Sequence, residues 1–415
     1  MKKKYCVIAL LIVVCLVALC ACNKEENFKE RPISAINLTA NVQTRTIEGR
    51  ATNDAFKGVY NGLTAKIAAN LYDGNNLCVS PLSISAALGM VANGAQGNTK
   101  AEFETLFGVS IDELNAYFAT LMSKSGASEE LHVANSVWSK SGEISVDEGF
   151  LDIVKNYYEA QAYSSDFGEK AVQDINNWVY NNTRGGIDGI IEEITPETLM
   201  LLINALDFES EWKEKFETDD IRDRTFKGTN GNSTVSMMYA REQSYIEFAD
   251  AKGFIKPYAN QNFKFVGVLP NEDVNVADFV AGLTGEKLTK MLASVKNAPV
   301  DIGIPKFEFE YECELKGSLV KLGLIDAFDQ DIADFSALGK TKTNENLFIS
   351  SVFHKTHITV NEAKTKASAV TKVGVDTATA TPYYETPRVI LDRPFVFMLL
   401  DSDNLPIFIG VISNL

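Results

Sequence analysis

Histidine is the side chain that most often moves protons near neutral pH, and this chain of 415 residues has only three, His132, His354 and His357. His354 and His357 stand three apart in a strand-like run, and that spacing directs two side chains to opposite faces of a strand. They are therefore a poor metal pair, and no second His or Cys cluster lies nearby in sequence to complete four ligands.

Other catalytic patterns are also weak. Ser and Asp are abundant enough for a Ser-His-Asp triad, but there is no Gly-x-Ser-x-Gly elbow. Gly185-Gly186 indicates a turn and lacks the Lys-Ser/Thr ending of a phosphate loop. We interpret the histidines as structural, and we predict no catalytic residue, metal or cofactor.

The N-terminus has the pattern of a targeting signal. Lys2-Lys3-Lys4 precede an apolar run over 7–19 that is short for a membrane span. The run ends in Leu19-Cys20-Ala21-Cys22, which resembles the lipobox of bacterial lipoproteins. We expect cleavage after residue 21 and acylation of Cys22. Cys20 is the weaker alternative, and an ordinary secretory signal is the simpler one.

The residues after Cys22 suggest a location. Lys24-Glu25-Glu26 is similar to an acidic signal that sends some lipoproteins to the outer face of the outer membrane. We therefore expect a surface-exposed bacterial outer-membrane lipoprotein, with an extracellular or periplasmic location as the alternative. We interpret 22–50, polar and without clear periodicity, as a lipidated tether.

The composition narrows the class of partner. The chain has 39 Lys+Arg against 55 Asp+Glu, a net charge of −16, and loss of three lysines with 1–21 would give −19. This balance argues against nucleic acid, since phosphates need clustered Lys and Arg. Cys78 and Cys313 would be the only cysteines left after Cys22, and we expect them to be buried reduced thiols.

Residues 51–415 read as a single globular body without a linker or repeat. Helical periodicity is present in 56–72, 81–93 and 172–183, with Ser80-Pro81 as a cap and first-turn proline. Strand-like runs cover 131–138, 199–208, 263–269, 300–309, 346–360, 388–400 and 405–412. With helices mainly in the first half and strands in the second, the pattern predicts an α+β fold around large, mainly antiparallel sheets.

One segment between two predicted strands is long for a connection. Residues 362–381 are rich in small and β-branched residues and have no proline before Pro382. Alternate residues give one small or apolar face and one face with most of the charge, a period suited to a strand. A mobile loop is the simpler interpretation, and both hold if the segment changes from loop to strand.

Here the chain resembles a known family, the serpins, from about residue 54 to the C-terminus. Ordered segments carry the resemblance: Asn76 to Met90, Gly94 to Thr99, Ala134 to Trp138, Leu202 to Phe216, Ile304 to Phe307, Leu315 to Leu324, Val352 to Glu362, Arg393 to Phe397 and Phe408 to Ile412. The resemblance implies an α+β serpin fold with three β-sheets, about eight to nine helices and an exposed reactive-centre loop.

The resemblance also implies a mechanism. In serpins a protease attacks the loop and forms an acyl-enzyme. The cut loop then inserts into sheet A as a new strand and drags the protease with it. An inserted stretch of about 15 residues at roughly 3.3 Å each spans about 50 Å. The chain is therefore expected to inhibit serine endopeptidases as a monomeric suicide substrate, with extension to cysteine proteases, and not to be an enzyme.

Family positions transfer to individual residues. The resemblance places a hinge at Glu362, Lys364, Thr365, Ala367, Ala369 and Thr371. Lys364 departs from the family, which usually has Gly there. The resemblance further implies a hydrogen-bonded shutter of Ser80, Ser83, Asn204 and His354 beneath the sheet, and a breach at Trp212, where Glu362 would pair with Lys306.

Two counts for the reactive bond disagree because the loop is about five residues longer than in typical members. Seventeen residues from Glu362 give Ala378-Thr379, which we favour and which suits elastase-like or subtilisin-like proteases. Counting back from Pro394 gives Tyr383, and Tyr383 or Tyr384 would suit chymotrypsin-like targets. The rival functions are a non-inhibitory serpin acting as a surface binding protein and, from another class, a surface hydrolase.

Overall fold

The fold is an α+β body with three sheets among the residues that the structure describes. A computed structural model describes residues 28–343, 345–362 and 386–415. Helices precede and cover the sheets in the first half of the chain, and strands dominate the second half, as the hydrophobic periodicity predicts.

Nine α-helices occur in these ranges. They are α1 Asp54–Leu71, α2 Pro81–Ala92, α3 Gly97–Phe107, α4 Ile111–Gly126, α5 Glu148–Tyr158, α6 Glu169–Asn182, α7 Val276–Ala281, α8 Gly285–Ala293 and α9 Lys316–Lys321. Short 3₁₀ turns cover Thr218–Asp220 and Asp326–Phe328. Helix α2 begins as predicted, because the Ser80 side chain accepts from the Ser83 N–H and Pro81 occupies the first turn.

Seventeen strands complete the described body. They are β1 Ile36–Asn37, β2 Leu77–Val79, β3 Leu131–Lys140, β4 Ile144–Val146, β5 Gln161–Ser165, β6 Met200–Phe208, β7 Ile221–Gly228, β8 Gly231–Glu247, β9 Ala251–Pro257, β10 Lys264–Pro270, β11 Val295–Pro305, β12 Phe307–Glu314, β13 Gly339–Thr341, β14 Ser351–Val360, β15 Arg388–Ile390, β16 Phe395–Leu400 and β17 Pro406–Ile412.

The six-stranded sheet, which we call sheet A, has the order β1-β5-β3-β6-β14-β12. The nine-stranded sheet runs β15-β11-β8-β9-β10-β16-β17-β2, with β7 on β8, and β13 pairs with β4. Most strand pairs are antiparallel, but β6 and β14 are parallel neighbours in the middle of sheet A. Helix α2 packs beneath sheet A, where every one of its residues is buried.

Helix α6 covers the opposite, outer face of sheet A. Trp178 and Ile175 of α6 share a hydrophobic cluster with Trp138 of β3 and Ile203 and Ala205 of β6. Strand β6 is therefore buried on both faces along its whole length. This explains why its sequence is a continuous apolar run and not an alternating one.

Two predicted strands are each divided in the structure. The run 300–309 is split at Lys306, whose N–H bonds to the Ser236 carbonyl, so β11 lies in the nine-stranded sheet and β12 in sheet A. The run 388–400 is interrupted at 391–394, which contains Pro394, and β15 pairs with β11 while β16 pairs with β10. Hydrophobicity alone does not reveal where a chain changes sheets.

Within the segment predicted to be a tether, the described residues 28–50 lie against the body. Ile36–Asn37 adds an edge strand to β5. The buried carboxylate of Asp174 accepts from the Ser34 N–H at 3.0 Å, the Ser34 hydroxyl at 2.6 Å and the Ala35 N–H at 2.9 Å. These charge-assisted bonds, made by polar residues, fix a segment that has no apolar periodicity to signal packing.

Candidate functional site

The centre of sheet A is a seam where β6 meets β14 directly. The register runs in parallel from Ser351 opposite Leu201 to Ile358 opposite Phe208, with no strand between them. We use "seam" for this pairing. Strand β14 ends at Val360, two residues before the last described residue ahead of the segment 363–385, and β15 then lies in the other sheet.

The structure brings the four predicted shutter residues together beneath the seam. The His354 ring accepts from the Ser80 N–H at 3.1 Å through Nε2 and lies 2.5 Å from Asn204 Oδ1 through Nδ1. The Asn204 amide donates to the Ser83 carbonyl at 2.7 Å and also contacts the Ser83 hydroxyl. We call Ser80, Ser83, Asn204 and His354 the shutter network. It joins α2 to both strands of the seam.

All four network residues are buried. Burial lowers the pKa of His354 to about 3, so the ring is neutral at physiological pH. With Nε2 accepting from Ser80, the ring proton must sit on Nδ1 and is donated to Asn204 Oδ1. This neutral tautomer satisfies both ring nitrogens without burying a charge.

The sequence reasoning missed two other polar groups in this region. Asn135 on β3 accepts from the Asn204 amide at 2.5 Å and so extends the network to a third strand. Thr356 on β14 donates to the Cys78 carbonyl at 2.8 Å. Both are polar residues at buried positions of strands. A polar residue inside a predicted strand is the sequence feature that could have identified them.

At the end of the seam next to Asn361, the structure contains Trp212 and the predicted pair of Glu362 with Lys306. The Trp212 indole N–H donates to the Asn361 carbonyl at 2.8 Å, and its ring stacks on Tyr258 with 4.5 Å between centroids. The Lys306 ammonium lies 2.7 Å from the Glu362 carboxylate. Lys306 lowers the pKa of Glu362, so this carboxylate is charged at neutral pH.

A buried ion pair lies next to the Trp212 ring and was not predicted from the sequence. Lys256 on β9 has a side chain that is 1% exposed, and its ammonium lies 2.7 Å from Glu242. The same ammonium sits 4.6 Å from the centroid of the Phe216 ring and 5.5 Å from that of Trp212. The aromatic faces and one carboxylate together compensate the buried cation.

His357 and Asp207 form a second unpredicted contact across the seam. His357 Nδ1 lies 3.4 Å from Asp207 Oδ1, and Nε2 lies 3.2 Å from Glu308 on β12. Hydrogen bonding to Asp207, opposed by burial and aided by Glu308, raises the pKa of His357. His354 is fully buried and His357 is only partly buried, so the prediction that they occupy opposite faces of β14 is confirmed.

Several predicted residues fall outside the described residues. They are Lys364, Thr365, Ala367, Ala369 and Thr371 of the hinge, the reactive-bond candidates Ala378, Thr379, Tyr383 and Tyr384, and Cys22. Their assignments remain predictions from the sequence.

The two cysteines of the described body are unpaired. Burial raises the pKa of Cys78 and that of Cys313 to about 12, so neither is a thiolate at physiological pH. Within 28–343, 345–362 and 386–415, no group of three His, Cys, Asp or Glu side chains could hold a metal ion. None of the helices in those ranges is long and apolar enough to cross a membrane.

Comparison with known proteins agrees with this geometry. The family model described as "Serpin (serine protease inhibitor)" matches residues 60–415. An uncharacterized serpin-like protein of Thermococcus kodakarensis is 31% identical over 352 residues, covering 82% of this chain and 81% of that protein.

Two crystal structures of a thermophilic serpin, tengpin, differ in how well they match. Its native state has a TM-score of 0.86 at 38% identity and covers 92% of this chain and all of tengpin's. Its latent state has a TM-score of 0.77 at 36% identity, with 88% of this chain and all of the other covered. The fold is thus more like the native than the latent form.

Members of this family are typically protease inhibitors and not catalysts. The family match covers nearly the whole body, and the sheet order and the structural likeness agree with it. The chain belongs to the serpin family.

Proposed function

We propose that this chain inhibits serine endopeptidases as a suicide substrate, by inserting its cleaved loop between β6 and β14. The protease supplies the chemistry. Its serine attacks the loop carbonyl, the peptide bond breaks with release of the new amino terminus, and the acyl-enzyme ester remains. The inhibitor contributes the free energy of adding a strand to sheet A, and its own residues need perform no proton transfer.

One observation carries the proposal: the seam is closed without an intervening strand, and it is followed directly by a strand-like sequence of small residues. The eight register pairs from Ser351 to Ile358 can each be replaced by pairing to an inserted strand. The segment 363–378 has alternating small residues and no proline, so it can pair on both sides. Because the chain turns back after β14, the inserted strand would be antiparallel to both β6 and β14. Insertion would therefore replace one parallel pairing with two antiparallel pairings, which are slightly more stable per residue.

The deciding experiment is a gel. The chain should form an adduct with an elastase-like or subtilisin-like protease that survives boiling in SDS, because the acyl bond is covalent. A protease whose catalytic serine is replaced by alanine is the matched control and should give no adduct. Complete cleavage of the loop with full recovery of protease activity would refute inhibition and favour a non-inhibitory role.

We propose Ala378-Thr379 as the reactive bond. Ala378, with Val375 and Thr377 before it, suits a small apolar primary pocket, and a short tether transmits the pull of insertion best. Mass spectrometry of the C-terminal fragment, separated under denaturing conditions, identifies the bond. Cleavage confined to Tyr383 or Tyr384 would overturn this assignment and point to chymotrypsin-like targets.

Lys364 favours a second candidate, a non-inhibitory serpin that serves as a surface binding protein. Its position lies between Glu362, still paired with Lys306, and Thr365, the first residue expected to insert. A long charged side chain there slows hinge movement in our proposal without entering the sheet. Lys364→Gly should then raise the inhibition rate, and Lys364→Ala is the matched control for loss of charge alone.

We further propose that the chain is a monomeric outer-membrane lipoprotein anchored through Cys22 and exposed at the cell surface. The lipobox-like Leu19-Cys20-Ala21-Cys22 and the following Lys24-Glu25-Glu26 support this. Cys22→Ser should release the protein from the membrane fraction. Full resistance of the protein to protease added to intact cells would contradict surface exposure.

A further inference from the structure

A partly shielded polar pair crosses the seam on the outer face of sheet A. Asp207 and His357 are register partners on β6 and β14. The side chain of Asp207 is 10% exposed and that of His357 is 21% exposed, and 3.4 Å separates Asp207 Oδ1 from His357 Nδ1. Gly186 leaves room for the carboxylate, since a Cβ at that position would lie 2.5 Å from Asp207 Cγ.

We propose that Asp207 and His357 form a proton-dependent clasp that keeps the seam closed, so that strand insertion into sheet A is slower under mildly acidic conditions than under mildly alkaline ones. We call this pair the clasp. The inference rests on the proposed function, because it assumes that the seam opens to accept the loop.

The clasp exists only while the seam is closed. Neighbouring strands lie about 4.8 Å apart, so one inserted strand would move β6 and β14 to roughly 9.6 Å. That separation breaks the Asp207–His357 contact. Glu308 on β12 stays beside His357, and His132 on β3 stays beside Asp207, because those strand pairs are not divided by insertion.

The groups around His357 are mostly acidic. The strands contribute Lys355 on β14, Glu308 and Glu310 on β12, Asp207 on β6 and His132 on β3. The segments next to these strands and to α6 contribute Glu129, Arg184 and Glu209. The Lys355 ammonium forms ion pairs with the carboxylates of Glu310 at 3.0 Å and Glu312 at 3.4 Å. The imidazolium form of His357 therefore has two carboxylate partners and no unneutralised cation on its own strand.

The direction of the pH effect follows from these contacts. Closure of the seam gives His357 an extra partner, so its pKa is higher in the closed state than in the opened state. The clasp is at full strength below the opened-state pKa, and it is lost as the pH rises through the closed-state pKa. A ligand, here a proton, shifts the equilibrium only by its preference for one state.

The other two histidines do not produce the same effect. His354 also crosses the seam, but with a pKa of about 3 it remains neutral throughout the relevant range. Burial and Arg184 lower the pKa of His132, whose register partner Asp207 stays beside it after insertion. His357 is thus the histidine whose charge depends on the seam.

The test uses the full chain and a synthetic peptide with the sequence of residues 365–378. The peptide is acetylated at its N-terminus, because a free α-amino group would titrate near pH 8. Its incorporation into sheet A is followed by native gel from about pH 5.5 to about 8.5, a window in which its Asp and Lys side chains do not titrate. We expect uptake to be on the order of two- to fivefold slower at the acidic end, the range that partly exposed ion pairs typically contribute.

Three variants make the test specific. His357→Gln and, independently, Asp207→Asn should each make the uptake rate insensitive to pH. His132→Gln is the matched control from the same cavity and should keep the wild-type pH profile. If either His357→Gln or Asp207→Asn does not fold, the other variant alone is sufficient for the test.

The outcomes separate the two proposals. Uptake that is independent of pH in the wild type, faster in acid, or unchanged in pH profile by His357→Gln or Asp207→Asn would overturn the clasp while leaving insertion intact. A folded wild-type chain that takes up no peptide at any pH would overturn insertion itself, and the clasp with it.

Discussion

Replacement of His354 by alanine should weaken the seam and the whole fold to different extents. The fully buried ring bonds to the Ser80 N–H at 3.1 Å and to Asn204 Oδ1 at 2.5 Å. His354→Ala leaves both groups without a partner. An unsatisfied buried polar group costs about 1–3 kcal/mol, so the free energy of unfolding should fall by roughly 3 kcal/mol.

Only part of that loss belongs to the seam. The Ser80 bond joins α2 to β14, and insertion of a strand does not have to break it. The Asn204 bond joins β6 to β14 and is lost when they separate. If that one bond contributes about 1–1.5 kcal/mol, spontaneous insertion should accelerate by roughly tenfold.

The assay follows conversion of the purified chain to an inactive, loop-inserted form during incubation at elevated temperature, by loss of inhibition and by native gel. Thr356→Val is the matched control. Thr356 is equally buried on β14, but its 2.8 Å bond goes to the Cys78 carbonyl and not across the seam. This variant should lose about 1 kcal/mol of stability without faster conversion. Equal conversion rates for the two variants would refute the assignment of the Asn204–His354 bond to the seam.

Three further changes test other contacts. Glu242→Gln should lower the free energy of unfolding, measured by urea titration, by about 3 kcal/mol, because it leaves the buried Lys256 without its carboxylate partner. Combining Glu242→Gln with Lys256→Met should recover much of that loss. If the double variant recovers none of it, packing and not charge explains the loss. Glu362→Gln should cost at most about 1 kcal/mol at neutral pH, since the pair with Lys306 is partly exposed. Because the pKa of Glu362 is lowered by folding, any contribution should fade as the pH falls through that pKa, and an effect that grows in acid would contradict it. Asp174→Asn should expose 28–50 to limited proteolysis while the body stays intact, since three donors lose a carboxylate acceptor.

The sequence predicts the elements of this fold better than their pairing. Periodicity located α1, α2 and α6 within a few residues, because their buried stripes recur at helical spacing. It did not separate β11 from β12, since strand-like residues continue on both sides of Lys306 and only the sheet they join differs. Register and sheet membership depend on contacts between residues far apart in the chain.

The same limit applies to the site. The resemblance selected Ser80, Asn204 and His354, and the structure joins them in one network. It could not identify Asp207 or His357, because a carboxylate and an imidazole separated by 150 positions carry no sequence signal until the strands are placed in register. Chain-specific contacts are therefore the ones that a family pattern leaves out.

The packing of the segment at 28–50 would limit the length of the membrane attachment that we propose through Cys22. Phe28 stacks on Tyr180 of α6 with 5.6 Å between centroids, and only residues 23–27 separate Phe28 from Cys22 in the sequence. Even a fully extended chain from Cys22 to Phe28 would span only about 20 Å. A bilayer-bound chain would then be held close to the surface with the α6 side of sheet A nearest the headgroups, which would limit the directions from which a protease can approach.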